Sequence, residues 1–238
     1  ATFSGIIANS GSTVLHLTKA GAGTQTLSGV NTYTGHTTID AGASLIIAGS
    51  GQLGGGTYAG AIANNGSLVY ASSATQTLSG VMSGSGTLTQ TSVPSGEPVG
   101  TLILTAANTY TGATTVDAGT LAITDAGALG AGSAGTTVNT GGTLDLRNVT
   151  GVAEPITLAG GTLATSTGSS SVSAPVALTA NSTISVTGTS MELTSAVSGS
   201  GGLTKTGSGI LQLDAANTYT GATTVDAGTL KLGANASI

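Results

Sequence analysis

The segment from Asn217 to Leu230 reads NTYTGATTVDAGTL, and it decides the fold because the chain repeats it. The same letters run from Asn108 to Leu121, and a third version, NTYTGHTTIDAGASL, runs from Asn31 to Leu45. We call this segment the cassette. The intervals between its copies are too long and too unequal to be single repeats of a solenoid, so each interval contains several smaller units.

Between the cassettes, short segments alternate apolar and polar residues. Examples are Thr143-Leu144-Asp145-Leu146 and Thr183-Ile184-Ser185-Val186. A period of two with β-branched residues predicts strands, and no stretch has apolar residues at the spacing that a helix needs. Gly, Asn and Asp separate the segments because they tolerate the positive φ angles of tight corners. We assign two such corners to the cassette, at Asp226-Ala227-Gly228 and around Gly221.

Composition narrows the class of protein. Charged residues are 5% of the 238 residues, aromatics 3%, and cysteine is absent. The absence of cysteine excludes disulfide scaffolds and the commonest structural zinc sites. The four Lys and Arg residues are scattered singly, so we expect no nucleic-acid partner.

Many short strands leave two architectures, a β-sandwich or a coil of stacked rungs. A sandwich needs strands of about five or six residues and bulky side chains between its sheets. A parallel β-solenoid needs only a narrow aliphatic core, so we predict an all-β solenoid over residues 1–238, one elongated unit of about ten rungs. Two prolines within 92–99 predict that this segment is a protruding loop.

The cassette with its lead-in Leu203-Thr204-Lys205-Thr206-Gly207-Ser208-Gly209 resembles the passenger-associated transport repeat of bacterial autotransporter adhesins. The resemblance implies a right-handed, single-stranded parallel β-helix secreted by the type V route to the bacterial cell surface. It also implies anchoring through a C-terminal outer-membrane barrel, whose long strands with aromatic girdles are absent here. The chain is therefore identified as a passenger fragment. It departs from the repeat pattern at Gln90, which replaces the lysine, and at the 92–99 insertion.

Candidate catalytic residues are few. The cassette acids Asp40, Asp117 and Asp226 lie too far apart in sequence to meet, and we interpret them as acceptors for backbone N–H groups at turns. Asp125 and Asp145 are separated by the length of one expected rung and could stack on adjacent rungs. Arg147 shares a strand face with Asp145, which is equally typical of a surface ion pair.

Other side chains invite binding hypotheses. His16 and His36 have the same one-rung spacing and could stack, but two imidazoles without a third ligand do not make a zinc site. The cassette tyrosines Tyr33, Tyr110 and Tyr219 could stack on sugars. We interpret them instead as rings that cover the edge of the core while their hydroxyls stay in water. No residue is assigned to catalysis, to a cofactor or to a metal.

These observations favour an adhesive or structural stalk on the cell surface, not an enzyme. Its expected partners are a host or neighbouring-cell surface or a polysaccharide. A carbohydrate-active or polysaccharide-binding β-helix is the alternative. An ice or crystal-surface binder needs a strict Thr-x-Thr register, which the sequence lacks. Unpaired rungs at the two ends further predict end-to-end stacking of chains into a filament.

Overall fold

The computed structural model describes residues 1–92, 99–131 and 134–238. In this part, parallel strands wind into a β-solenoid of about 11 turns, with almost no helix. The predicted all-β solenoid of about ten rungs is therefore confirmed. Of the loop predicted at 92–99, residues 93–98 lie outside the described part.

The described residues form 27 strands and one short 3-10 turn, Gly54–Gly56. The strands are β1 (Thr2–Phe3), β2 (Leu17–Lys19), β3 (Gly23–Leu27), β4 (Thr37–Ile39), β5 (Ala43–Gly49), β6 (Thr57–Tyr58), β7 (Ile62–Asn64), β8 (Ser67–Ser72), β9 (Gln76–Leu78), β10 (Met82–Ser83), β11 (Thr87–Gln90), β12 (Thr101–Leu104), β13 (Thr114–Val116), β14 (Gly119–Ile123), β15 (Thr136–Asn139), β16 (Gly142–Leu146), β17 (Ile156–Ala159), β18 (Thr162–Thr165), β19 (Ser169–Val172), β20 (Val176–Ala180), β21 (Ser182–Val186), β22 (Ser190–Leu193), β23 (Val197–Gly199), β24 (Leu203–Thr206), β25 (Ile210–Leu213), β26 (Thr223–Val225) and β27 (Thr229–Leu232).

These strands form four parallel sheets that run along the coil. Sheet one has the order β1-β3-β5-β8-β11-β13-β15-β17-β20-β23, and sheet two has the order β26-β24-β21-β18-β16-β14-β12-β9-β6. Two four-stranded sheets, β10-β7-β4-β2 and β19-β22-β25-β27, complete the set. Successive strands of one sheet belong to successive turns, so the chain stacks on itself rung by rung.

The core is a set of aliphatic rows that run parallel to the coil axis. In sheet two, one buried row is made by the paired residues Leu102, Leu121, Leu144, Leu163 and Ile184. Burying each such side chain stabilises the fold by about 1.5–3 kcal/mol. This repetition replaces the large aromatic core that the sequence cannot supply.

The two corners of the cassette depend on glycine for different reasons. At the Asp-Ala-Gly corner, Gly42, Gly119 and Gly228 have φ of 76°, 72° and 72°, as the sequence predicted. The glycines of the Tyr-Thr-Gly corner are not among the residues with positive φ. At Gly112 a Cβ atom would lie 2.1 Å from the carbonyl oxygen of Gly86 on the rung below. This second corner needs glycine because two rungs approach closely, which corrects the reason that the sequence suggested.

The three cassettes occupy three different sheets. In copy one, β2 pairs with β4 in a four-stranded sheet, whereas in copy two β11 pairs with β13 in sheet one. In copy three, β24 pairs with β26 in sheet two. The register is nevertheless the same, because Leu17, Leu88 and Leu203 each pair with the first threonine of their cassette strand.

Candidate functional site

The first residue of every cassette, an asparagine, clamps three consecutive rungs together. Asn108 Oδ1 accepts the backbone N–H of Met82 from the rung before (2.7 Å), and its Nδ2 donates to the carbonyl of Ala128 on the rung after (2.6 Å). Asn31 repeats this arrangement with Ile7 and Gln52, and Asn217 repeats it with Val197 and Ser237. An amide can do this because it carries both a donor and an acceptor. These side chains are thus occupied inside the fold.

The cassette tyrosine closes a second internal contact. The hydroxyl of Tyr33 is 2.7 Å from Thr37 Oγ1, and the corresponding distances are 2.6 Å for Tyr110 with Thr114 and for Tyr219 with Thr223. Tyr33 and Tyr110 are 0% and 1% exposed, and burial raises the pKa of both phenols. The expectation that these hydroxyls stay in water is therefore wrong for Tyr33 and Tyr110. Burial also removes both rings as platforms for a sugar.

We expect Tyr110→Phe to destabilise the protein by about 1–2 kcal/mol, because the buried hydroxyl of Thr114 loses its partner. Thr114→Val should cost a similar amount, and the double variant should cost less than the sum of the two. Urea unfolding followed by circular dichroism measures all three values. Additive effects in this cycle would contradict a direct Tyr110–Thr114 hydrogen bond.

The lysine of the lead-in points into the core in copy three. Lys205 pairs with Ile184 in sheet two and continues its buried aliphatic row. Its Nζ donates to the carbonyls of Thr206, Gly207 and Ala227 at 2.7, 2.8 and 3.1 Å. Three donors on an ammonium match three acceptors, while burial lowers the pKa of Lys205. In copy one, Lys19 Nζ reaches the two corresponding carbonyls of Ala20 and Gly21.

Copy two has a neutral side chain at this position, and it donates to a different carbonyl. Gln90 is buried in β11, and its Nε2 donates to the carbonyl of Gly100 at 3.0 Å. Its Oε1 is buried without a hydrogen-bond partner in the described residues. In the other two copies the lysine at this position donates to backbone carbonyls, which cannot pair with a second acceptor. The exchange of lysine for Gln90 therefore leaves the strand pairing of the cassette intact.

The cassette aspartates do not act as the sequence suggested. The predicted bond from a backbone N–H to the carboxylate is not seen at Asp40, Asp117 or Asp226 in the described residues. The turn at Asp40 is closed by its backbone carbonyl, which accepts the N–H of Ala43 (3.0 Å). Asp117 instead accepts the side-chain amide of Asn139 on the next rung (2.6 Å). The Asp-Ala-Gly corner is thus set by backbone geometry more than by the carboxylate.

The structure does not bring Asp125 and Asp145 together as a catalytic pair. Asp145 pairs with Ala122 of the rung below, so Asp125 lies beyond its partner on that rung. Asp125 Oδ1 accepts the N–H of Gly127 (2.8 Å). Asp145 forms the expected ion pair with Arg147 (2.7 Å), in which the carboxylate is buried and the Arg147 side chain is half-buried.

The histidines stack as their spacing suggested. The rings of His16 and His36 are exposed with centroids 5.0 Å apart, and His36 N–H donates to His16 Nδ1 (2.9 Å). In the described part of the chain, no group of three or more His, Cys, Asp or Glu residues is placed to hold a metal ion.

Sequence reasoning missed one carboxylate pair, Glu192 and Asp214. Gln212 Nε2 lies 3.2 Å from Glu192 Oε1 and 2.8 Å from Asp214 Oδ1, and contact with Asp214 raises the pKa of Glu192. Their separation along the chain matches one rung and was the available signal. The side-chain amide of Gln212 thus bridges carboxylates that lie on two neighbouring rungs.

A long, regular row of threonines lies on the surface of sheet two, and we call it the threonine ladder. Seven consecutive rungs contribute one outward threonine each, in continuous register: Thr101, Thr120, Thr143, Thr162, Thr183, Thr204 and Thr224. All seven are half-buried or exposed. With about 4.8 Å between rungs, the ladder is roughly 29 Å long. It presents uncharged hydroxyl and methyl groups at a fixed period.

This order is invisible in the sequence because it runs between rungs and not along a strand. Only Thr204 and Thr206 form a Thr-x-Thr pair within the ladder's strands, and the spacing between successive ladder members along the chain is uneven. The erratic Thr-x-Thr pattern that argued against a surface array therefore gave a wrong impression of the surface.

Comparison with protein families identifies the repeats. The model of the passenger-associated-transport-repeat family matches residues 17–43, 99–123 and 203–232. The middle match omits the lead-in strand β11, which the insertion separates from its cassette, yet β11 pairs with β13 as in the other copies. The insertion thus interrupts the sequence repeat without changing the strand pairing.

The chain is also similar to a much longer protein, the adhesin BmaC autotransporter of Brucella suis biovar 1 (strain 1330). The two are 36% identical over 243 residues, which cover 88% of this chain and 7% of the adhesin. No solved structure matches the chain.

In the described ranges, no helix has the length and apolarity needed to cross a bilayer. With its three repeats and its parallel solenoid, the chain belongs to the autotransporter passengers that carry the passenger-associated transport repeat.

Proposed function

We propose that residues 1–238 act as one adhesive segment of a β-helical stalk at the bacterial surface. The observation that carries the proposal is the threonine ladder, a regular uncharged row on a scaffold that its buried rows hold rigid. The similar Brucella protein is named an adhesin, and this supports the same role here. The stalk is mechanical in its action, because stacked backbone ladders keep the presented surface straight and fixed.

The partner of this surface is another cell surface, of a host or of a neighbouring bacterium. A row of hydroxyl and methyl groups contributes hydrogen bonds and apolar contact without charge, so adhesion should depend weakly on salt. The passenger family implies secretion and a cell-surface location. We further propose that the full-length protein is anchored through the outer membrane.

Beads coated with the purified chain test the proposal by their adhesion to host cells and to the producing bacterium. We expect the wild-type chain to adhere and the variant Thr143→Gln/Thr183→Gln to lose most adhesion, because longer side chains break the row at two rungs. The matched control is Thr18→Gln/Thr38→Gln, which makes the same change on paired rungs of the sheet β10-β7-β4-β2, where the row continues with Ala63 and not with threonine. We expect the control to adhere like the wild type.

Two results would contradict this assignment. Beads with the wild-type chain that do not adhere would leave the segment as a stalk without adhesive surface. Equal losses in both double variants would show that the ladder has no special role. A third result would identify the kind of receptor. If the coated beads bind immobilised purified polysaccharides but not immobilised surface proteins, the polysaccharide-binding alternative is favoured over a protein receptor.

End-to-end stacking of chains stays a prediction. Light scattering at rising concentration would reveal it as a growing mass, and a constant monomer mass would argue against it.

A further inference from the structure

Sheet one also carries a regular row of outward side chains, which we call the sheet-one row. Nine consecutive rungs contribute one half-buried residue each, in continuous register: Thr26, Ile46, Val69, Thr89, Thr115, Thr137, Thr157, Ala177 and Ser198. Seven of the nine are β-branched, so their side chains have few rotamers. A partner that binds this row therefore loses little side-chain entropy on it.

The face around the sheet-one row is free of charge. Within the described residues, the ten strands of sheet one contain no charged side chain. Beside the row, the outward residues of three successive rungs are Ser44, Ser67 and Thr87, which are small and polar. Asp117 directly follows β13, and its carboxylate accepts the side-chain amide of Asn139. A partner that covers these strands has no charge of the strands to dehydrate.

The face of sheet two differs in this respect. In β16, Asp145 lies two residues after Thr143 of the threonine ladder and forms the ion pair with Arg147, whose side chain is 31% exposed. A broad partner on the ladder would dehydrate this guanidinium, which costs free energy. Sheet one is therefore the better face for a long, uncharged partner.

The spacing of the sheet-one row restricts what can cover it. Neighbouring members are about 4.8 Å apart, so the row is roughly 38 Å long. An α-helix laid along the row has a pitch of about 5.4 Å and loses about one full period over the eight intervals. An extended peptide presents a side chain about every 6.7 Å and loses register sooner. Side chains on a cross-β fibril repeat every 4.7–4.8 Å or so, and they stay within about 1 Å of the row throughout.

A second copy of this chain has the same period, but the available area is small for a dimer. The row and one neighbouring row, about 7 Å away, cover roughly 400 Å². This is about half of the roughly 800 Å² that each partner buries in a stable complex. A fibril compensates for the small area, because its row continues along the axis and many chains on one cell can bind it together.

We propose that sheet one docks onto the side of a cross-β fibril whose exposed row consists of Asn, Gln, Ser or Thr side chains. The methyl groups of Thr115, Thr137 and Thr157 pack against that row, and their hydroxyls exchange hydrogen bonds with its amides and hydroxyls. Ile46 and Val69 add apolar contact near one end. No residue of the sheet-one row belongs to the threonine ladder, so this site is independent of the adhesive surface on sheet two.

Cosedimentation with fibrils of a synthetic Asn- and Gln-rich peptide, grown as parallel in-register sheets, tests the site. We expect saturable binding of the wild-type chain and at least tenfold weaker binding of Thr115→Lys/Thr157→Lys, because the fibril would have to dehydrate two charges. The matched control, Thr143→Lys/Thr183→Lys, adds the same charges two rungs apart on the threonine ladder and should bind like the wild type. Absence of wild-type binding, or equal binding of the two variants, would overturn the proposal.

Two further probes test the match of periods. The first is the same peptide as a monomer, and the second is microcrystalline cellulose, which is uncharged and rich in hydroxyl groups but has a different repeat. We expect the wild-type chain to bind both at least tenfold more weakly than the fibrils. Equal binding to either probe would show that the common period has no role and would overturn the proposal.

Folding and self-association are measured on the same proteins. A second variant, Thr89→Lys/Thr137→Lys, changes two other rungs of the sheet-one row and should show the same loss with the circular dichroism spectrum of the wild type. Unchanged fibril binding in this variant would contradict the assignment even if the first variant failed to fold. Sedimentation velocity tests the second copy. A wild-type dimer that dissociates in the variants would overturn the proposal and assign sheet one to pairing between copies.

Discussion

Replacing Gly112 by alanine should destabilise the solenoid by about 3 kcal/mol, because the new methyl group has no room. Its Cβ would lie 2.1 Å from the backbone oxygen of Gly86, and a backbone atom of the neighbouring rung cannot move aside as a flexible side chain does. The two rungs would have to separate, which weakens the hydrogen bonds between them. Urea unfolding followed by circular dichroism measures the loss.

The control for this prediction is Gly151→Ala. Gly151 has a φ of 76°, but a Cβ there would meet nothing within 4 Å. Alanine at this position bears only the strain of the left-handed backbone, about 1–2 kcal/mol. A loss at Gly112 no larger than at Gly151 would show that the rungs are not in close contact at the cassette corner.

The contact between Gly112 and Gly86 explains why the tetrapeptide SGSG precedes two of the three cassettes. The tetrapeptide SGSG occurs at Ser83–Gly86 and at Ser198–Gly201, ahead of the second and third cassettes. Gly86 faces Gly112, and a Cβ at Gly221 would lie 2.4 Å from the carbonyl carbon of Gly201. The last glycine of the tetrapeptide and the cassette glycine therefore meet as a pair, one on each of two neighbouring rungs.

Replacing Asn108 by alanine should cost about 2–4 kcal/mol, because the change removes two hydrogen bonds and each buried group left unsatisfied costs about 1–3 kcal/mol. The groups that lose their partner are the N–H of Met82 and the carbonyl of Ala128. The three rungs that Asn108 joins should also exchange their amide hydrogens faster, which hydrogen-exchange mass spectrometry measures segment by segment.

The matched variant is Asn217→Ala at the same cassette position. Asn217 makes the equivalent bonds to Val197 and Ser237, but it is only half-buried, so water can replace the lost amide. We expect a loss below about 1 kcal/mol. Equal losses at the two positions would mean that burial does not set the strength of this clamp.

The sequence predicted the strands well because each one carries its own signal. Thr143–Leu146 and Thr183–Val186 alternate polar and apolar residues, and both lie inside observed strands. The solenoid was predicted from the scarcity of large aromatic side chains. A chain with one Phe and no Trp can fill only a narrow interior. These properties are local or compositional, so one sequence suffices to infer them.

Features that depend on register between rungs could not be predicted. Asp145 is buried because Ser166 and Arg147 cover it, and Glu192 meets Asp214 because their rungs align through Gln212. The length of a turn varies along the chain, so the alignment of outward side chains needs the three-dimensional structure.

The placement of the three cassettes in three different sheets bears on how such chains grow by duplication. A copied module need not arrive at a whole number of turns from its parent, because its asparagine, tyrosine and glycine contacts are made with the rungs directly before and after it. The cassette thus keeps the same stacking in each of the three sheets where it occurs. Identical sequences then face different sides of the rod, and an antibody raised against one copy would approach each of the others from another direction.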